Sequence, residues 1–239
     1  MRVAELLVVL PTYNERLSLA GVVSRIREAV PDADVLIVDD NSPDGTGELA
    51  DSLAGDHVAV LHRPVKEGLG RAYLAGFERA ISGGYRYVAE IDADGSHDPA
   101  DLPAMLALAI DGADLVIGSR WTPGGAVRNW PWARQAISRA GNAYSRVMLR
   151  SRIRDITAGF RVFRTSALQE AQLDGVASQG YCFQVELAWR LERAGARVVE
   201  HPITFVERAQ GRSKMHLGIV TEALLRVTGW GLTAGLRKR

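Results

Sequence analysis

Apolar residues in this chain follow two rhythms. Short unbroken runs, partly β-branched, alternate with longer stretches in which apolar side chains return every three or four positions. Ala4–Leu10, Val35–Val38, Val58–Leu61, Tyr87–Ile91 and Leu115–Gly118 read as strands. The first two, and the run around Val88, have the continuous apolar character of strands buried on both faces. Between the strands lie helical patterns: Glu15–Val30 (Leu17, Val22, Val23, Ile26 and Val30, ended by Pro31), Thr46–Leu53, Gly68–Ser82 (inner face Leu69, Tyr73, Phe77, Ala80) and Ala100–Ile110. Strands alternating with helices at this spacing predict a mostly parallel central sheet with helices on both faces.

The alternation weakens after Arg120. Thr122–Pro131 reads as a Gly/Pro/Trp loop, Trp132–Leu149 as a long basic helix, and Ala158–Phe163 as a strand. Tyr181–Ala194 reads as a helix, Arg197–Val206 as one or two strands, and Gly211–Lys214 as a short basic link. Leu217–Leu236 is a final helix with Leu217, Val220, Leu224 and Val227 along one side. No Pro-, Gly- or Ser-rich linker and no internal repeat divides the chain, so 1–239 reads as a single domain.

Composition sharpens the picture. With 47% hydrophobic and 24% charged residues the chain can bury a large core. Its formal net charge of +1 hides an uneven distribution. Acids dominate between Glu28 and Asp56, whereas from Arg120 to Arg164 the arginines are opposed only by Asp155. A basic second half suits an anionic ligand or an anionic membrane surface. Cys182 is the only cysteine, so no intrachain disulfide forms; this fits a reducing cytoplasm, and Cys182 reads as a small core residue. Met1–Leu10 shows no signal-peptide pattern, and no apolar stretch approaches the ~18 residues of a bilayer-spanning helix. A soluble or peripheral protein is expected.

In parallel α/β sheets ligands bind at the carboxyl ends of the strands, and the unusual residues fall there. Pro11-Thr-Tyr-Asn-Glu15 follows the first strand, Asp39-Asp40 the second, and Arg120 the fifth. The stretch Val88–Pro99 ends the fourth strand in Asp92, Asp94 and Asp98, with Ser96 and His97. Two aspartates separated by one residue can share a hard divalent cation that keeps positions open for substrate phosphates. The plainer alternative is a polar turn, with Asp98 or Ser96 capping a helix that begins at Pro99. Asp39 stands open between ligand and cap. His97 and His201 lack metal-ligand spacing and read as structural or solvent-facing, and Gln184 and Glu186 read as helix packing.

Several motifs together resemble a known family. Pro11–Glu15 (PTYNE), Val38–Thr46 (VDDNSPDGT), Lys66–Gly70 (KEGLG), Asp92–His97 (DADGSH) and Gly118–Arg120 (GSR) resemble the GT-A fold of family 2 glycosyltransferases, with its Rossmann-like nucleotide-binding half. Asn129–Pro131 (NWP), Gly180–Glu186 (GYCFQVE) and Arg208–Lys214 (RAQGRSK) make the chain similar to the dolichol-phosphate and polyprenol-phosphate mannose synthases. The resemblance implies inverting transfer of mannose from GDP-mannose to a polyprenyl (dolichyl-type) phosphate. It implies that Pro11, Tyr13, Glu15, Val38 and Asp40 hold the guanosine. Asp92, Ala93 and Asp94 would meet the ribose, the diphosphate and Mg²⁺ or Mn²⁺, and Arg120, Arg208 and Lys214 the phosphates. Archaeal members carry a metal-binding Gln two places after the second Asp; this chain has Ser96 there, expected to bind the metal directly or through water.

The chemistry agrees. Cleaving the anomeric C–O bond leaves negative charge on a diphosphate, which a divalent ion and Arg/Lys side chains stabilise. A phosphate-monoester acceptor, with a second pKa of about 6, is already anionic near neutral pH and needs no general base. It does need cations to approach the donor, and Arg120 and Arg134 are suited to grip its phosphate. A UDP-sugar-dependent polyprenyl-phosphate glycosyltransferase is the alternative. A non-catalytic nucleic-acid module is disfavoured by the acids at the strand ends, and a Rossmann dehydrogenase by the lack of Gly-x-Gly-x-x-Gly after the first strand. An apolar acceptor tail places the work at the cytoplasmic face of a membrane, through peripheral contact of residues 215–239 or through a separate membrane-spanning partner.

Overall fold

Residues 5–171, 176, 181–207 and 217–236 are described by a computed structural model of the chain. Its first half alternates β1 (Leu6–Thr12), α1 (Leu19–Ala29), β2 (Asp34–Asp39), α2 (Thr46–Leu53), β3 (Val58–His62), α3 (Leu69–Ser82), β4 (Tyr87–Glu90), α4 (Leu102–Ile110) and β5 (Leu115–Ser119). The second half holds β6 (Ala126–Arg128), α5 (Trp132–Leu149), β7 (Arg161–Arg164), α6 (Thr165–Glu170), α7 (Tyr181–Arg193), β8 (Val198–Pro202), β9 (Thr204–Val206) and α8 (Leu217–Leu236).

Seven strands form one sheet in the order β3-β2-β1-β4-β7-β5-β8, parallel except for β7, which runs antiparallel to both of its neighbours. Strands β6 and β9 pair separately. Successive side chains on a strand point to opposite faces, so a strand covered on both sides must be apolar throughout. Leu7 and Val9 of β1 accordingly join Leu36, Val38, Tyr73 and Phe77 on one face. Leu6, Val8 and Leu10 join Leu19, Val22, Ile26 and Ile37 on the other.

The departures from the sequence reading have local causes. Strand β1 runs through Pro11 to Thr12, because its pairing with β4 stops at Val9 opposite Glu90 while pairing with β2 continues; proline's missing N–H is tolerated where only one neighbour remains. Helix α1 begins at Leu19 rather than Glu15, since the Ser18 and Leu19 amides both close turns on the Glu15 carbonyl. Leu17, expected on the inner face, therefore precedes the helix and is 84% exposed. The expected loop Thr122–Pro131 contains β6, a three-residue strand with little periodicity of its own that forms by pairing with β9. The strand expected from Ala158 begins at Arg161.

Helix α8 packs on α5 and α7. The Tyr144 and Thr228 hydroxyls lie 2.5 Å apart, and Trp230 stacks on Trp189 at 5.7 Å. Val227 faces inward as expected, but Leu224 is turned outward with Leu225 and Leu232. The side chains of Leu217 and Val220 lie outside the described part. No described helix is long and apolar enough to cross a membrane.

Candidate active site

The segments after β1 and β2 are sewn together by short polar side chains. Asn14 and Asn41 adopt positive φ (59° and 57°), which asparagine tolerates better than most residues, and turn the chain away from each strand. The Asn14 amide donates to Ser42 Oγ (3.1 Å), and the Glu15 amide donates to Thr46 Oγ1 (3.1 Å). Asp39, open in the sequence between ligand and cap, is buried and accepts hydrogen bonds from Thr12 Oγ1, Ser42 Oγ and the Ser42 amide. It holds the loop. The α2 amide is met instead by Asp44, which accepts from Thr46 N (3.0 Å).

Asp40 turns the other way. Its Oδ1 accepts from Arg63 Nη1 at 2.6 Å, and Arg63 also pairs with Glu67. Burial pushes the Asp40 carboxyl above its ordinary range, against the pull of Arg63. Beside it Lys66 Nζ sits 3.7 Å from the centroid of the Tyr13 ring. A cavity of about 420 Å³ opens along Lys66, Glu67, Gly68 and Arg71. An aromatic face, a carboxylate and an open cavity in one place suit a planar, hydrogen-bonding heterocycle. Pro11 and Val38, both expected here, lie opposite each other in the β1–β2 ladder.

Directly past β4 the chain supplies Asp92, Ala93 and Asp94, with Ala93 buried and both aspartates half-buried. Tyr73 Oη donates to Asp92 Oδ1 at 3.2 Å. Asp94 Oδ1 accepts from both the amide (3.0 Å) and the hydroxyl (2.6 Å) of Ser96. Ser96 is itself buried and engaged from behind, as a support for Asp94. Asp98 plays the plain role: it accepts from the Ala100 amide and caps the turn that starts at Pro99. His97 is structural. It lies buried between Phe160 and Phe205, each 5.2 Å away, and burial lowers its pKa to about 4, so it is neutral.

As a metal site, the donor set is two carboxylates one residue apart, and no group of three or more His, Cys, Asp or Glu side chains converges among the described residues. That set fits a hard divalent cation that completes its octahedron with phosphate oxygens and water, as Mg²⁺ does with one or two carboxylates. It does not fit a closed structural site. Behind Asp92 the interior stays polar. Glu90 is fully buried, and burial pushes its pKa up to about 8 against the charge of Arg161. The Arg161 guanidinium is spent on the Ala158, Gln184 and Ile156 carbonyls. Gly159 approaches from the start of β7, where a Cβ would stand 3.6 Å from Asp92 Oδ2.

Both cations expected at the acceptor end carry carboxylate partners. Asp155, fully buried, accepts from the Arg120 amide (2.9 Å), Nε (2.8 Å) and Nη2 (2.7 Å). Asn142 of α5 also donates to Asp155 (3.3 Å), tying the long basic helix to the end of β5. Arg134 lies over the Trp130 ring at 4.1 Å and pairs with Glu207 nearer the surface. That pair is half-buried, whereas Arg120 and Asp155 are buried, so a phosphate displaces Glu207 more readily than it opens the fork on Arg120. Arg208 and Lys214, expected at the phosphates, lie outside the described residues. Sequence reasoning passed over Asp155 and Tyr73. For Asp155 the signal was present, since it is the lone acid among the arginines. For Tyr73 there was none, because its place on the inner face of α3 reads as packing.

Comparison with known proteins covers both halves of this crevice. The family model described as "Glycosyl transferase family 2" matches residues 7–171. An undecaprenyl-phosphate mannosyltransferase from Micrococcus luteus is 53% identical over 238 residues, 98% of each chain. A polyprenol monophosphomannose synthase from Mycolicibacterium smegmatis is 51% identical over 233 residues, 96% of this chain and 88% of that one. Among solved structures, glucosyl-3-phosphoglycerate synthase from Mycobacterium tuberculosis, in complex with Mn²⁺ and UDP-glucose, superposes with a TM-score of 0.67 at 21% identity. The superposition covers 94% of this chain and 79% of that one, and it shows a shared fold.

Proposed function

The chain belongs to glycosyl transferase family 2, and on that premise we propose that it transfers mannose from GDP-mannose to a polyprenyl phosphate, with inversion at the anomeric carbon. The observation that carries this reading is the near-complete coverage by relatives named for mannosyl transfer to a lipid phosphate, which takes in the acceptor half as well as the nucleotide half.

Residues 1–239 act as one catalytic unit. Pro11, Tyr13, Glu15, Val38 and Asp40 hold the guanosine, Val38 through its main chain because its side chain is buried in the core, with Arg63 keeping Asp40 in place. Asp92 and Asp94 would hold a divalent cation, Mg²⁺ or Mn²⁺, which supplies positive charge to the departing diphosphate. Ser96, whose hydroxyl donates to Asp94, would meet the metal directly or through water. Arg134 exchanges Glu207 for the acceptor phosphate, and Arg120, fixed by Asp155, adds its field from the adjoining wall. A phosphate oxygen then bonds to C1 on the face opposite the diphosphate as the C1–O bond breaks, and the electron pair leaves with GDP. Neutral His97 takes no proton. A donor screen tests the reading: GDP-mannose should support transfer to a short polyprenyl phosphate at least about tenfold better than UDP-glucose, a preference of ~1.4 kcal/mol. Preference for UDP-glucose would replace it with the UDP-sugar alternative.

The acceptor tail requires a membrane, and the outer side of α5 is built for contact with one at its cytoplasmic face. Trp132, Ala136, Ala140, Ala143 and Val147 recur at helical spacing and are all exposed, Trp132 by 82% and Val147 by 77%. Arg139, Arg146 and Arg150 run beside them, where anionic headgroups would meet them. Leu225 and Leu232 of α8 are exposed next to this helix. Trp132→Glu with Val147→Glu is expected to weaken sedimentation with anionic vesicles by about tenfold or more, leaving the melting temperature unchanged because neither side chain enters the core. Undiminished binding would exclude α5 and point to α8 or to a membrane-spanning partner.

A further inference from the structure

Tyr73 lies in the middle of an apolar core and yet ends on a polar atom of the crevice. Its ring is fully buried and stacked between Phe77 (6.3 Å, 21°) and Phe183 (6.2 Å, 8°), which come from α3 and α7. Both rings lie nearly parallel to it, so the core holds its orientation. One turn further along α3, Gly76 lets the helix settle onto β1 so closely that a Cβ there would stand 2.4 Å from Val9 Cγ1. The Tyr73 hydroxyl reaches to 3.2 Å from Asp92 Oδ1. A tyrosine hydroxyl keeps its proton near neutral pH and so donates in this hydrogen bond.

We propose that Tyr73 is a positioning residue: anchored in the core by two aromatic rings, it fixes the orientation of the Asp92 carboxylate for binding a divalent cation. The inference rests on the reading that Asp92 and Asp94 bind such an ion. Ligating carboxylates work in a set orientation only if something holds them, and losing an outer hydrogen bond of this kind costs about 10–100-fold in metal affinity or activity. A tyrosine held from the core side does this without occupying the crevice.

The test is Mn²⁺ titration of the intact protein, read from the electron paramagnetic resonance signal of free Mn²⁺, with GDP present and with thermal melting in parallel. Tyr73→Phe keeps the ring and its stacking and removes only the hydroxyl. It is expected to weaken Mn²⁺ binding about tenfold and to lower kcat more than it raises KM for the donor, with the melting temperature nearly unchanged. Ile26→Val, in the core on the other face of the sheet from Tyr73, serves as the packing control; it should lower the melting temperature and leave Mn²⁺ affinity as in the wild type. Equal Mn²⁺ affinity in Tyr73→Phe and wild type would overturn the positioning role alone. Equal weakening in Ile26→Val would also overturn it, by showing that loss of core packing anywhere suffices. Absence of Mn²⁺ binding in the wild type would remove the carboxylate–metal reading, and the role of Tyr73 with it.

Discussion

Replacing Asp94 by alanine is expected to lower mannosyl transfer by about two to three orders of magnitude at saturating metal, with the melting temperature shifted by no more than a few degrees. On the proposed reading, the catalytic effect follows from the carboxylate's place one residue from Asp92 just past the carboxyl end of β4, where a divalent cation would stabilise leaving-group charge. Loss of such electrostatic help is worth several kcal/mol, and each ~1.4 kcal/mol is tenfold in rate. The small effect on stability follows from exposure: Asp94 is half-buried, and it accepts hydrogen bonds from Ser96 within the same turn. Radiolabelled transfer to a short polyprenyl phosphate, assayed across a metal titration, checks both halves. Turnover in Asp94→Ala that persists after chelation of divalent ions would remove Asp94 from the chemistry.

Asp155→Ala should give the largest loss of stability, about 3–5 kcal/mol, because it strands the Arg120 guanidinium in a buried place with its carboxylate gone. Three of the hydrogen bonds that Asp155 accepts come from Arg120 alone, and others come from Asn142 and Thr157, so the end of β5, helix α5 and the turn before β7 all loosen together. Urea unfolding measures the loss, and a shift below about 1 kcal/mol would mean that Arg120 finds water or another partner. Asp155→Asn keeps the shape and halves the problem, so it should fall between alanine and wild type.

The sequence was most legible where one kind of interaction decides. Helices α2, α5 and α8 begin and end where their periodicity indicates, and the strands of the nucleotide half need only two buried faces to be recognised. What escaped depends on contacts between distant segments. Strand β6 has three residues and exists by virtue of β9. The reversed direction of β7 leaves no trace in its composition. Among site residues, the paired aspartates are visible because their type and spacing are improbable for simple packing. Tyr73, by contrast, is a core aromatic by every local criterion, and only its hydroxyl meets Asp92. Arg120 and Arg134 were legible as cations but not as members of pairs, since Asp155 and Glu207 lie 35 and 73 residues away in the chain. Ser96 sits at the expected position, with its hydroxyl turned to Asp94.

Strand β7 also constrains how the molecule is made. Strand β4 pairs only with β1 and β7, and β5 only with β7 and β8, so the two never meet directly. As the chain leaves the ribosome, β1 to β4 can assemble at once, but β5 has no neighbour until Arg161–Arg164 emerges and threads between them. Closing that gap requires a long-range, antiparallel insertion, the kind of step that slows folding and leaves an open sheet edge exposed in the meantime. The two halves of the chain are therefore coupled through β7, which the later half supplies to a slot between two strands of the earlier half.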